Sequence, residues 1–183
     1  MKNSGTENPI YHHDTLEFVT VAAEYCAFME KGEERSCRSF VDTLLKLLPL
    51  LYMKVQMLPQ VDSEGDFIPD GCVSEEDYNF ILNSSFHILG PKDEYEELVY
   101  DADMETEESQ WRSVSEDLAD IYQALRNFVF AYQQRVEPCM LDALWGVRDS
   151  FEMYWGTNLL CALKHLHKVR YSVTTNDDEE DTE

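Results

Sequence analysis

The 183 residues carry 37 acidic against 14 basic side chains, a formal net charge of −23, with 44% hydrophobic and 12% aromatic residues. That apolar content is enough for the core of one domain, and the acidity excludes the basic patches that direct contact with nucleic-acid phosphates or anionic lipid requires. The excess is also local: residues 62–77 hold seven carboxylates, 93–108 hold nine and 176–183 hold six, with no Lys or Arg among them, leaving 15 acids against 14 bases elsewhere.

The opening MKNSGTENPIYHHD has one lysine and no apolar run behind it, unlike a secretory or transit sequence, so a cytoplasmic protein is expected. From Asp14 or Thr15 as N-cap, Leu16, Val19, Ala23 and Cys26 recur at helical spacing until Gly32. A second, leucine-rich helix runs from Ser36 to about Leu58, and Pro49 should kink it. Its uncharged run between Lys46 and Lys54 is far shorter than the roughly 18 residues of a membrane span. Residues 59–73 form a connection of Pro, Gly and Asp. Ser74 and Asp77 then make a capping box with Asp in the distal place, opening a third helix that ends at Gly90-Pro91.

The stretch 92–112 contains Tyr95, Leu98, Val99 and Tyr100 among many acids and reads as a partly ordered connection, helical turn or extended. Strand-like alternation is missing from the chain. Ser113 and Glu116 form an S-x-x-E capping box for a fourth, amphipathic helix reaching about Arg135. The fifth, Cys139 to Arg170, has apolar residues on nearly every face, with Pro138 in the first turn and Lys164, Lys168 and Arg170 at the end that favours positive charge. The expected fold is all-α: an antiparallel bundle of about five helices around a buried C-terminal helix, with residues 1–175 as a single helical domain and 176–183 as a disordered acidic tail. Five widely spaced cysteines, without a C-x-x-C pair, read as reduced packing residues rather than disulfide or zinc ligands.

Among chemical motifs, Asp117/Asp120 and Asp149/Glu152 each place two carboxylates three apart on one helix face, and two such helices side by side can hold Mg²⁺ against phosphates. The pattern is similar to the E-x-x-E and E-x-x-D motifs of all-helical nucleotide pyrophosphohydrolases, although the first pair here is two Asp and the second reverses the order. Flanking charge on amphipathic helices is the ordinary explanation. His165 and His167 lie about 200° apart on a helix and cannot share one metal. His12-His13-Asp14 with Glu17 offers an i,i+4 pair at a helix start, and DSEGD at 62–66 lacks the Gly and Glu of a calcium loop. Two Trp-Gly steps, Trp145-Gly146 and Trp155-Gly156, each put into the fifth helix a Gly that costs about 1 kcal/mol relative to Ala. Close approach of a neighbouring helix would compensate; otherwise Trp145 and Trp155 are anchors for a partner.

The phrases EDLADIYQAL at 116–125 and SFEMYWGTNLLCALKHLH at 150–167 resemble those of an uncharacterised bacterial family of small acidic helical proteins, a domain of unknown function, over roughly the whole chain outside the tail. The resemblance implies an all-helical cytoplasmic protein and nothing about catalysis. Where the family pattern commonly has a His before the Trp-Gly step, this chain has Tyr154.

The expected function is a non-enzymatic protein-protein interaction or regulatory module. It needs no cofactor, contacts neither nucleic acid nor membrane directly, and offers its acidic connections and tail to a basic partner protein. The alternatives are a Mg²⁺-dependent pyrophosphohydrolase using Asp117, Asp120, Asp149 and Glu152, and an acidic mimic of nucleic acid. The sequence sets no oligomeric state.

Overall fold

Side-chain caps open the helices where the sequence places polar residues ahead of apolar stripes. In the computed structural model, which describes residues 8–32, 35–63, 65, 67, 70–101 and 106–172, His12 Nδ1 accepts from the Asp14 N–H at the start of α1 (His13–Met29). The Ser36 hydroxyl does the same for α2 (Cys37–Gln56), which continues through Pro49. The Ser74/Asp77 capping box forms in both directions at α3 (Glu75–Leu89). At α4 (Val114–Gln133) the Ser113 hydroxyl accepts from Glu116 N–H, and a further first-turn donor, the Ser115 N–H, goes to the buried Asp93 carboxylate instead.

The C-terminal helix is one rod in two registers: α5 (Glu137–Ser150), a π turn over Phe151–Trp155, and α6 (Gly156–Tyr171). Its burial follows one stripe, Met140, Leu144, Val147, Phe151, Trp155, Leu159, Ala162 and Leu166. Seven steps of that stripe cover 26 positions, whereas seven turns of α-helix take about 25. The π turn absorbs the surplus residue and keeps both halves facing the core. The opposite side is open, with Trp145, Met153, Tyr154 and Leu160 exposed. The most enclosed helix is α4, which buries twelve residues and packs on α1, α3, α5 and α6.

The stretch 92–112 departs from the expected loose connection. It forms an antiparallel hairpin, β1 (Glu94–Asp101) paired with β2 (Thr106–Ser113) in a register that sets Tyr95 opposite Arg112, Glu96 opposite Trp111 and Leu98 opposite Ser109. A two-stranded ribbon is marginal in water by itself, so this one depends on how its base is held. The connection 59–73 is also tied down: buried Asp142 accepts from Ser63 Oγ and Phe67 N–H, both at 3.0 Å, and Asn127 Oδ1 accepts from Cys72 N–H at 2.8 Å. All five cysteines are free thiols. The expected tail, 176–183, lies outside the described residues.

Candidate functional site

Three-residue spacing on α4 turns Asp117 and Asp120 toward the base of the hairpin and α6, and both enter one polar network. Asp117 is 3% exposed. Its Oδ2 accepts from Tyr95 Oη at 2.9 Å and its Oδ1 is bound by the Arg112 guanidinium. The half-buried Asp120 accepts from Tyr78 Oη at 2.8 Å and from Asn158 Nδ2 at 3.0 Å. Arg112 closes the chain by donating to Asn158 Oδ1 at 3.0 Å. The Tyr95 ring stacks on His165 at 4.3 Å and 14°. His165 Nε2 lies 2.9 Å from the Lys92 carbonyl, which assigns the proton to that nitrogen.

The electrostatics follow from burial. Loss of solvent raises the Asp117 carboxyl above its ordinary value, against the lowering pull of Arg112 and Tyr95. Burial also raises the Tyr95 phenol, with the Asp117 charge and hydrogen bond adding to it, and lowers the His165 imidazole. All four carboxylate oxygens of Asp117 and Asp120 accept hydrogen bonds from protein groups. Binding a metal there would first require breaking these contacts. The arrangement ties α3, α4, α6 and both strands together; it presents no activated nucleophile.

Asp149 and Glu152 stand elsewhere. Both are exposed, Glu152 pairs with Arg148 at 3.5 Å, and with Gln60, Asp62 and Trp145 they line a shallow cleft of about 240 Å³. The structure therefore divides the four candidate Mg²⁺ carboxylates between two sites. Among the described residues the one cluster whose metal-ligand atoms converge, within 4.8 Å of one another, is His13, Asp14 and Glu17, and there Glu17 is bound by Lys54.

The two Trp-Gly steps have different causes. Trp155 is 0% exposed, donates from Nε1 to the Val147 carbonyl at 3.1 Å and meets Phe151 edge-on, so it is a core residue and no partner anchor. A Cβ on Gly156 would lie 2.6 Å from the Phe151 carbonyl oxygen, so the close approach comes from the π turn of its own helix rather than from a neighbour. Gly146 does face a neighbouring helix, across a cleft of about 200 Å³ that it lines with Ala124, Ala131 and Ala143. Trp145 is 40% exposed. Trp111, 74% exposed on β2, shares a face with Leu98, 66% exposed on β1, a pairing that the strand register creates and residue spacing alone does not show.

Comparison with known proteins identifies the class. The sequence matches the domain of unknown function DUF5063 over residues 9–172, and the chain belongs to that family. It is similar to protein BF1032 from Bacteroides fragilis, known from a structural-genomics crystal structure, at 40% identity and a TM-score of 0.79, covering 90% of this chain and 96% of that one. No curated protein matches the sequence. Among the described residues, no helix is long and apolar enough to cross a membrane.

Proposed function

We propose that the chain is a cytoplasmic, non-enzymatic interaction module whose acidic hairpin holds a basic protein partner. The observation that carries this reading is the outward face of the hairpin, where Trp111 and Leu98 stand exposed: Leu98 lies within 93–108, which holds nine carboxylates and no cation, and Trp111 lies just beyond that segment, opposite Glu96. An aromatic anchor paired across the strands with Glu96 suits a partner that presents an apolar group beside Lys or Arg side chains. The pairing of all four Asp117 and Asp120 oxygens within the network, and the placement of Asp149 and Glu152 at another surface, weigh against a Mg²⁺ site shared by these four carboxylates.

Affinity purification from the native cells with the wild-type chain and with Trp111→Ala is the test. A basic partner retained by wild type and lost from the variant supports the reading, because truncating a central aromatic anchor removes about 2–4 kcal/mol, roughly 30-fold or more in Kd. A captured set unchanged by Trp111→Ala, or turnover of nucleoside triphosphates by the pure protein, sinks it.

A further inference from the structure

The surface between α2 and α6 has the opposite chemistry to the hairpin. A groove of about 750 Å³ runs there over a floor of Leu45, Pro49, Leu160 and Leu163. Lys164, His167, Lys168 and Tyr171 line it as well. The α6 sequence, GTNLLCALKHLHKVRY, contains no acid at all, in a chain with 37 of them. On α6 the lining residues Leu160, Leu163, Lys164, His167, Lys168 and Tyr171 follow helical spacing, a strip about 16 Å long at 1.5 Å per residue. Pro49 supplies no backbone N–H, so the Leu45 carbonyl at the same face lacks its ordinary helix donor.

We propose that this groove is a second docking surface, taking an amphipathic helix of about three turns from a protein partner, with an apolar row flanked by acidic residues. Helix-in-groove binding needs an apolar trough of that length, and the flanking lysines select the sign of the incoming charge. Charge complementarity also decides against a second copy meeting the groove face to face, because two sets of Lys164 and Lys168 would then oppose one another. This surface is separate from the hairpin's outer face, so either reading stands or falls without the other.

The experiment uses the full chain and fluorescence anisotropy with a labelled 16-residue peptide bearing Leu at one helical stripe and Glu beside it, against the same peptide with Lys for Glu. The Glu peptide should bind at least about tenfold tighter, the scale on which complementary charge separates partners. Lys168→Glu, which leaves the Lys164–Glu97 pair at 2.9 Å in place, should abolish that preference; Leu160→Asp should weaken both peptides, and Trp111→Ala should change neither. Equal binding of the two peptides, or indifference to Lys168→Glu, overturns the proposal. So does binding that appears only when Asp177, Asp178, Glu179, Glu180 and Asp181 are converted to amides, which would make the chain's own acidic end the occupant. Concentration-dependent self-association that Leu160→Asp abolishes would assign the groove to a second copy and equally overturn it.

Discussion

Gly156 shows how much one side chain can decide. Replacing a mid-helix glycine with alanine ordinarily stabilises by about 1 kcal/mol through helix propensity. Here the added methyl meets the Phe151 carbonyl oxygen at 2.6 Å and the Phe151 ring at 2.9 Å, and a backbone oxygen cannot move aside as a flexible side chain can. Gly156→Ala should therefore destabilise by about 1–3 kcal/mol in urea unfolding, the range for overpacking, whereas a stabilised variant would show that the π turn relaxes at no cost. The Trp-Gly step was visible in the sequence as a local contradiction of helix propensity. Its cause was not, because a π turn leaves no residue pattern apart from one surplus position in the buried stripe.

At the scale of the element, the hairpin survives because its base is latched. Asp117→Asn keeps the size of the side chain but leaves Arg112 without its counter-charge; a hydrogen bond to a charged group is worth about 1.5–3 kcal/mol. Amide exchange across β1 and β2 should accelerate accordingly, while Asp149→Asn with Glu152→Gln should leave exchange there unchanged. Equal effects from the two sets would contradict the separation of the sites. The His165 contact adds a pH dependence with a definite sign. Burial lowers the imidazole's folded-state pKa below its ordinary value near 6.5, so its contribution is present above that value and is lost as the pH falls through the folded-state value. Asp117, raised by burial, acts in the opposite direction. Hairpin exchange should thus rise on acidification from pH 7.5 in wild type more than in His165→Phe, which keeps the stack on Tyr95 but cannot titrate; parallel pH profiles would exclude the imidazole.

The helices were legible because Ser36, Ser74 and Ser113 announce their starts and apolar residues repeat at 3.6. The hairpin was not. Its second strand, TEESQWRS, has a single apolar residue, and that residue faces solvent, so no alternation betrays a buried side. The Asp117/Asp120 spacing was readable as a shared face, but its partners Arg112 and Asn158 come from elements the spacing cannot bring together.

For the whole molecule, the separation of charge matters more than its total. A net −23 repels itself, and the three acidic segments contribute 22 of the 37 acids. Raising the salt from about 10 to 150 mM shortens the screening length from roughly 30 to 8 Å, so the melting temperature should climb across that interval. A flat or falling curve would mean that attractive pairs such as Arg170–Asp42 and Lys54–Glu17 outweigh the repulsion. The same screening should weaken binding at both proposed docking surfaces, since each proposal rests on complementary charge.

The π turn also sets an angle. Each residue of an α-helix advances the chain by about 100°, so the extra position between Ser150 and Gly156 works as a phase adjustment for everything downstream. Asn158 and His165, which hold the hairpin, and Lys164 and Lys168, which line the groove, all lie downstream on α6 and take their bearings relative to α5 from that adjustment. Losing one codon within Phe151–Trp155 would leave a regular helix and swing latch and groove together off their bearings, so the bundle keeps the hairpin latch and the α2–α6 groove in phase with α5 through a single irregular turn.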